Sequence, residues 1–384
     1  MIDASGARRN GSIAKWVSIV GARPQFVKLA PVCRAIECHN KQRALPRIEH
    51  CIIHTGQHYD REVAELLFVQ MQIPTPHCNL AVGSGSHGVQ IARMLARLEP
   101  ILIDKHPDWV VIYGDTNSTL AGALLAARLK LPAAHVEAGC RSVDAGMPEE
   151  QNRIIADHLS RLLLAPSQSA MENLHREGIG VKDDLHGRRA VMVGDVMYDA
   201  LLQSLDLAEK NSDENLGQYG LEDGQYYLLT LHRVENTESP DSLRTILEAI
   251  GTLEFPVLFP VHPRTQHLLQ TAGISLNRAL RPIAPLGYLE MLALEKHARM
   301  ILTDSGGVQK EAFYLGVPCV TLRDKTEWPE TVELGANRVA GRTPESIRQT
   351  IQENHKKDWG ESKPYGDGRA AQKIVTELLA AGGH

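Results

Sequence analysis

Three acidic residues in the first half of the chain stand where they could transfer protons. Asp115 follows a predicted strand at 110–114, and Glu137 ends the next predicted strand, 133–137. Glu149 opens a helix-like segment shortly afterwards. Carboxylates that share a partly desolvated site push their pKa values apart, which supplies a general acid and a general base. We therefore predict that Asp115, Glu137 and Glu149 converge at one sheet edge.

Two of these acids, Asp115 and Glu149, also have an ordinary structural explanation. Glu149 and Glu150 could complement a helix dipole, because acidic residues are favoured in the first turn of a helix. Asp115 could be the N-cap of the helix that follows it. The presence of all three acids in one region favours the catalytic interpretation.

The second half of the chain carries residues suited to a nucleotide diphosphate. Ser305, Gly306 and Gly307 lie between a predicted strand and a predicted helix, where free backbone N–H groups bind phosphate. Glu311 lies about one turn further along and could accept hydrogen bonds from ribose hydroxyls. His232 follows another predicted strand, and we predict that it also transfers protons.

A glycine turn near the start of the chain is a second candidate anion site. The segment from Gly21 to Lys28 reads GARPQFVK, so a proline begins the predicted helix and Arg23 stands in the turn. An ordinary turn with solvated charges explains the same residues equally well. The glycines fit neither the P-loop nor the dinucleotide-binding pattern, so we predict no nicotinamide cofactor. The spacing of histidines and carboxylates indicates no metal.

These residues require a scaffold of alternating strands and helices. Apolar runs without alternation predict parallel strands that are buried on both faces, with helices between them. The predicted fold class is therefore α/β, with two Rossmann-like doubly wound domains that face a cleft. Ligands of such sheets bind beyond the carboxyl ends of the strands. The predicted strands are 16–20, 50–54, 110–114, 133–137, 162–165, 190–193, 226–231, 257–261, 300–303 and 319–322. The predicted helices are 27–37, 62–72, 88–105, 118–130, 149–159, 169–177, 240–252, 288–298, 307–315 and 369–381.

The length of 384 residues suits two domains of ordinary size. We predict a disordered extension over 1–14, a first domain over 15–200 and a second domain over 201–366. The polar stretch 209–225 is expected to surround the link between them. A C-terminal helix within 367–384 could pack on either domain, including by crossing back to the first.

Composition excludes several classes of protein. The chain has 41 Lys and Arg against 46 Asp and Glu, which gives a net charge of −5. The sequence has neither the positive excess nor the basic stripe that a nucleic-acid surface requires. The apolar runs are shorter than the roughly 20 residues of a membrane helix. The first 15 residues contain no apolar stretch of the signal-peptide type. Six scattered cysteines are typical of buried thiols in a reducing compartment, so we predict a cytoplasmic protein.

The sequence resembles the non-hydrolysing UDP-N-acetylglucosamine 2-epimerase family from about Val17 to Gly368. The motifs that carry the resemblance are GARPQFVKLAPV, HTGQHYD, YGDTNSTLAGAL, AAHVEAGCRS, MPEEQNRIIADH, VGDVMYDAL, LTLHRVENT, FPVHPRT, LGYLEMLALE, LTDSGGVQKEAFYLGVPCVTLRD, TEWPETVELG and PYGDG.

The resemblance implies the glycosyltransferase-B architecture, a homodimer, no cofactor, and UDP-sugar and UDP as ligands. It also implies reversible conversion of UDP-N-acetylglucosamine to UDP-N-acetylmannosamine. A base removes the C2 proton while UDP leaves C1 by anti elimination, and UDP then adds back to the resulting 2-acetamidoglucal.

The family motifs assign roles to particular residues of this chain. The acid/base candidates are Asp115, Glu137, Glu149 and His232, and which carboxylate removes the proton stays open. The resemblance implies that Arg23 and Lys28 lie near diphosphate and sugar, that Ser305, Gly306 and Gly307 bind phosphate, that Glu311 binds ribose, that His262 and Arg264 line the nucleotide, and that Gln57 and His58 belong to an activator region.

Departures from the family pattern leave the exact sugar open. Many members have Thr and Glu where Ala22 and Gln25 stand, Arg where Trp328 stands, and a basic residue where Val234 stands. The alternative substrate is UDP-2,3-diacetamido-2,3-dideoxyglucuronic acid. Further alternatives are a hydrolysing epimerase, a glycosyltransferase of the same fold, and a non-catalytic nucleotide-sugar sensor.

Overall fold

The structure is a computed structural model that describes residues 13–57, 61–142, 144, 146–237, 239–353, 359 and 362–382. Within these ranges the side chains of residues 61–65, 234, 263 and 264 are left out. Of the predicted extension over 1–14, residues 1–12 lie outside the described residues. Its last two residues are not an extension, because the first strand begins at Ile13.

The chain divides into two compact units, Met1–Ala200 with Lys363–His384, and Leu201–Ser362. The strands of the first unit are β1 Ile13–Val20, β2 Arg47–His54, β3 Cys78–Asn79, β4 Trp109–Tyr113, β5 Ala133–Val136, β6 Leu162–Ala165 and β7 Arg189–Met192. They form a parallel sheet in the order β3-β2-β1-β4-β5-β6-β7. The central strands are buried on both faces, which is why they are apolar without alternation.

The second unit repeats this design with a sheet of six strands. Its strands are β8 Tyr227–Thr230, β9 Val257–Pro260, β10 Leu280–Ile283, β11 Met300–Thr303, β12 Cys319–Thr321 and β13 Asn337–Val339. They pair in parallel in the order β10-β9-β8-β11-β12-β13. The two parallel sheets and their intervening helices confirm the predicted α/β class with two Rossmann-like doubly wound domains.

Helices connect the strands in both units. In chain order they are α1 Arg23–Lys41, α2 Arg61–Gln70, α3 His87–Lys105, α4 Asn117–Arg128, α5 Pro148–Leu159, α6 Gln168–Arg176, α7 Val196–Glu209, α8 Ser212–Gln218, α9 Val234–Thr237, α10 Pro240–Ile250, α11 Pro263–Thr271, α12 Tyr288–Lys296, α13 Gly306–Leu315, α14 Pro329–Glu333, α15 Pro344–Gln352 and α16 Ala370–Ala381. The division between the units falls within α7. The C-terminal helix α16 packs against α1, and Trp109 Nε1 donates a hydrogen bond to the Leu378 carbonyl at 3.0 Å.

The strands that sequence patterns miss are β3, β10 and β13. Each is an edge strand of two to four residues, and each has half-buried or exposed positions. Such strands lack the continuous apolar run that marks a strand with neighbours on both sides.

The stretch 209–225, expected as polar linker, contains the helix α8. Leu216 of that helix and the following Leu221 are buried with Tyr226 in the core of the second unit. Two apolar positions in a polar stretch give too weak a period to predict a helix of seven residues. Among the described residues, the helices are too short or too polar to cross a bilayer.

Candidate active site

The turn after β1 depends on a glycine that the neighbouring side chains require. A Cβ atom on Gly21 would lie 2.0 Å from Thr55 Oγ1 and 2.2 Å from Ser118 Oγ. Ser118 also donates to Gln57 Oε1 from its hydroxyl at 2.8 Å. Gln57 of the predicted activator region is thereby connected to the β1 turn. His58, its predicted companion, lies outside the described residues.

A buried glutamine holds this turn against the end of β4. Gln25 Oε1 accepts hydrogen bonds from the backbone N–H groups of Gly21 and Ala22 at 2.8 and 3.2 Å. Its Nε2 donates to the Tyr113 carbonyl at 2.9 Å and to Thr119 Oγ1 at 3.1 Å. Because the amide both accepts and donates, Gln25 fixes the start of α1, where the half-buried Arg23 stands.

Lys28 and Glu137 form a buried ion pair at the carboxyl edge of the first sheet. Lys28 Nζ lies 3.3 Å from Glu137 Oε1, and the side chains are 7% and 8% exposed. A Cβ atom on Gly114 would lie 3.5 Å from Glu137 Oε1, so the turns after β4 and β5 are adjacent. The backbone of Glu137 has a φ of +70°, which costs about 1–3 kcal/mol in a residue with a side chain. Strain of this kind persists at sites where the position of a side chain matters.

Asp115, in the turn after β4, is connected to α5 by an arginine. Arg153 Nη2 contacts Asp115 Oδ2 at 2.5 Å, and Arg153 Nη1 donates to Glu150 Oε2 at 3.1 Å. Asn152 donates to the Asp115 carbonyl at 2.9 Å. The N-cap of α4 is Thr116, so the N-cap explanation of Asp115 is wrong.

The third predicted acid, Glu149, lies half-buried in the first turn of α5. Its position is therefore also compatible with the helix-dipole explanation. Glu150 is buried and accepts from the Ser142 backbone N–H at 2.9 Å as well as from Arg153. These contacts favour a structural role for Glu150.

In the second unit, His232 is held by a buried aspartate. His232 Nδ1 lies 2.9 Å from Asp304 Oδ1, and the side chains are 46% and 0% exposed. The backbone N–H groups of His232 and Arg233 and the Asn236 amide also donate to Asp304, at 3.0 to 3.1 Å. Burial alone would raise the pKa of Asp304, but His232 and these donors outweigh burial and hold that pKa below its ordinary value. A carboxylate at Nδ1 orients the ring and leaves Nε2 as the nitrogen that can exchange a proton with a ligand.

The predicted phosphate cradle is the N-terminus of α13. Ser305 is the N-cap, and its Oγ accepts from the Val308 N–H at 3.5 Å. A Cβ atom on Gly306 would lie 3.3 Å from Trp328 Nε1, so the indole covers the first residue of the helix. The Lys310 ammonium lies 3.9 Å from the centroid of the Trp328 ring. Trp328 therefore gives this helix end an aromatic wall with a buried cation against its face.

The remaining predicted nucleotide residues occupy two places in the second unit. Glu311 is 7% exposed inside α13, and Gly307 follows Gly306 in its first turn. His262 is exposed directly before α11. The side chain of Arg264 lies outside the described part of the structure.

Sequence reasoning missed Arg153, Asp304 and the role of Gln25. A correct strand order would have been the signal that finds Asp304, because Thr230 of β8 pairs with Thr303 of β11. His232 and Asp304 follow these paired residues, so the strand order alone would have brought them together. Among the described residues, no group of three or more His, Cys, Asp or Glu side chains is arranged to hold a metal ion.

Two Rossmann-like domains with polar groups after their strands define the class of proteins that have the glycosyltransferase-B architecture. Within that class, residues 40–379 match the family model described as UDP-N-acetylglucosamine 2-epimerase. The chain therefore belongs to this epimerase family, and the resemblance drawn from the sequence motifs is confirmed.

Relatives match nearly the whole chain. A UDP-N-acetylglucosamine 2-epimerase homolog of Methanococcus maripaludis is 46% identical, over 95% of this chain and 99% of its own. The UDP-2,3-diacetamido-2,3-dideoxy-D-glucuronate 2-epimerase of Pseudomonas aeruginosa is 42% identical, with the same shares of 95% and 99%. The crystal structure of the Methanocaldococcus jannaschii UDP-GlcNAc 2-epimerase, in complex with UDP-GlcNAc and UDP, has a TM-score of 0.86 and 44% identity, again covering 95% and 99%.

Proposed function

We propose that this chain is a non-hydrolysing epimerase that inverts C2 of a UDP-2-acetamido sugar, interconverting UDP-N-acetylglucosamine and UDP-N-acetylmannosamine. The observation that carries the proposal is the adjacency of the Gly114–Asp115 turn to the buried Glu137–Lys28 pair at one sheet edge. Relatives named as 2-epimerases over the full length support the same activity.

The reaction needs one group to remove a proton and another to return it. In the proposed first step the C2–H bond breaks, its proton passes to a carboxylate, and its electron pair forms the C1–C2 double bond. The C1–O bond breaks at the same time and its electrons leave with UDP. In the second step a UDP oxygen attacks C1 while a proton adds to C2 from the opposite face. We propose Asp115, Glu137, Glu149 and His232 as the groups that exchange these protons.

The departing diphosphate needs cationic and N–H groups around it. In the proposal Lys28 and Arg23 supply positive charge from the first unit. Ser305, Gly306 and Gly307 supply backbone N–H groups at a helix N-terminus, which favour a negative ligand. Such groups lower the barrier because they interact most strongly with the charge that develops as the C1–O bond breaks.

The nucleoside is assigned to other residues of the second unit. We propose that Glu311 binds the ribose and that His262 and Arg264 line the nucleotide. A second substrate molecule would act as an activator at Gln57 and His58. Homodimer assembly is part of the same proposal. Light scattering on the purified protein measures the mass of the assembly directly.

A second candidate substrate is UDP-2,3-diacetamido-2,3-dideoxyglucuronic acid. Two observations favour it. The Pseudomonas aeruginosa relative is named for this sugar. Trp328, which stands where many family members have Arg, lies with Lys310 at the proposed phosphate cradle. The same acid/base groups would serve either sugar, since the reaction at C2 is unchanged.

The experiment that tests the proposal is a turnover assay of the purified chain on both UDP-sugars, followed by NMR of the products. We expect an equilibrium mixture of two UDP-sugars that differ at C2. Free N-acetylmannosamine accumulating with UDP would show a hydrolysing enzyme instead. No conversion of either UDP-sugar would refute the proposal.

A further inference from the structure

A histidine buried beneath the carboxylate-bearing turns has a hydrogen-bond acceptor at each ring nitrogen. His135 of β5 is 0% exposed. Its Nε2 lies 2.7 Å from the Gly114 carbonyl oxygen, and its Nδ1 lies 2.7 Å from Asp157 Oδ1. A carbonyl oxygen has no proton to donate, so Nε2 must be the donor in its contact.

The second acceptor, Asp157, is kept in its ionised form by the groups that donate to its other oxygen. Asp157 Oδ2 accepts from the Gly139 N–H at 3.0 Å and from Arg141 Nη1 at 2.8 Å. Burial alone would raise the pKa of Asp157, but His135 and Arg141 outweigh burial and hold that pKa below its ordinary value. An ionised carboxylate only accepts hydrogen bonds, so Nδ1 of His135 must donate as well.

A neutral imidazole has only one N–H group and cannot make both contacts of His135. Another histidine of the same sheet shows the ordinary arrangement. His50 of β2 contacts two groups that can themselves donate, the Ser18 hydroxyl at 2.7 Å and the Cys33 thiol at 3.9 Å. Burial lowers the pKa of His50 to about 4, so that ring is neutral at pH 7.

We infer that His135 and Asp157 form a hydrogen-bonded imidazolium–carboxylate pair that positions the catalytic turns, a role that rests on the proposed function. The ring holds the Gly114 carbonyl, and Asp115 is the next residue. Asp157 holds the Gly139 N–H, two residues after Glu137. One buried pair thus fixes the backbone within two residues of each proposed acid/base residue, just before Asp115 and just after Glu137.

The pair also connects these turns to α5. Asp157 belongs to that helix, as does Arg153, which contacts Asp115. A chain of ion pairs extends from the buried pair toward the surface, because Arg141 contacts Asp157 and also donates to Glu177 at 2.8 Å. Positive and negative groups therefore alternate from His135 to Glu177, so each buried charge has an opposite neighbour. Because neither His135 nor Asp157 is placed at the substrate, both are positioning residues.

The charge state is testable without any substrate. Neutron diffraction from deuterium-exchanged crystals of the unaltered chain shows which ring nitrogens carry deuterium. We expect deuterium on both Nδ1 and Nε2 of His135, none on the Asp157 carboxyl, and one on the ring of His50 as an internal reference. A single deuterium on His135, or deuterium on Asp157, overturns the inference. This result stands whether or not the proposed reaction is correct.

The positioning role is tested by the near-isosteric Asp157→Asn and by His135→Gln. If the turns shift by about an ångström, kcat falls about 100-fold, while KM for the UDP-sugar changes little. The double variant should fall no further than the worse single variant, because the two residues act as one unit. His50→Gln is the matched control and should keep kcat. Unchanged kcat in folded Asp157→Asn overturns the positioning role, as does a double variant whose losses multiply.

Discussion

The ammonium group of Lys28 lies 3.3 Å from the carboxylate of Glu137, and water reaches less than a tenth of either side chain. A buried ion pair of this kind is costly to assemble, because both charges lose their hydration. The neighbouring backbone adds to that cost, since Glu137 has a φ of +70°. A proposed role in proton transfer gives a reason for both features.

Replacing the proposed acid/base groups should abolish most activity without unfolding the chain. We expect Glu137→Gln, Asp115→Asn and His232→Ala each to lower kcat by at least about 100-fold, the usual range for lost acid/base groups. Steady-state assays measure the loss, and circular dichroism checks the fold. Glu49→Gln, on an exposed position of β2, is the control and should keep kcat. Near-normal turnover in all three variants would reject their assignment.

Asp304 should matter almost as much as the histidine that it orients. Asn in its place cannot hold Nδ1–H and the two backbone N–H groups of His232 and Arg233 together, so the ring of His232 loses its orientation. We expect Asp304→Asn to lower kcat by at least about 100-fold. Asp241→Asn, at a side chain that is 88% exposed, is the control in the same unit. Equal activity of the two variants would contradict the orienting role.

The fold could be predicted because its central strands are buried on both faces. Strands such as β4 and β6 consist of residues that are all buried, and that pattern is visible in the sequence. Edge strands such as β10 and short helices such as α8 carry no such pattern. Their formation depends on neighbours that only the folded chain supplies.

The candidate site could be proposed from residue types in the sequence, but the pairings between those residues could not. The position of Asp115 after a strand was visible, and its partner Arg153 was not, because 38 residues separate them. Gln25 looked like a simple departure from the family pattern. The structure gives it four hydrogen bonds that depend on the approach of β4 to the β1 turn.

Those four hydrogen bonds make a prediction about Gln25→Glu. A carboxylate can accept from the Gly21 and Ala22 N–H groups, but it cannot donate to the Tyr113 carbonyl. The buried acceptors would then face each other, which costs about 1–3 kcal/mol. Urea unfolding should show a lower midpoint for Gln25→Glu than for the exposed control Gln372→Glu. Equal midpoints would show that this amide is not needed.

Asp199 should make stability depend on pH. It accepts from the Ala370 and Ala371 N–H groups at the start of α16. Burial raises its pKa to about 6, those N–H groups oppose the rise, and Asp195 and Asp367 add to it. Because this folded-state pKa exceeds the ordinary value, protonation stabilises the fold. That stabilisation is complete below about pH 3.8 and is lost as pH rises through about 6.

Thermal unfolding of the wild type and Asp199→Asn across this window isolates the effect. The stability of the wild type relative to the variant should rise as pH falls from 7 to about 4, by about 3 kcal/mol at most. Subtracting the stability of the variant from that of the wild type cancels the contributions that all other carboxylates make to the pH dependence. A difference that stays constant over the whole window would contradict the raised pKa.

The most direct test of the central claim is isotope uptake at C2 during turnover in D2O. A proton that leaves C2 for a carboxylate exchanges with solvent before another is returned from the opposite face. We predict that each molecule of UDP-sugar product carries deuterium at C2, with UDP and sugar still joined. Full epimerisation with the original hydrogen retained at C2 would contradict proton transfer by these residues.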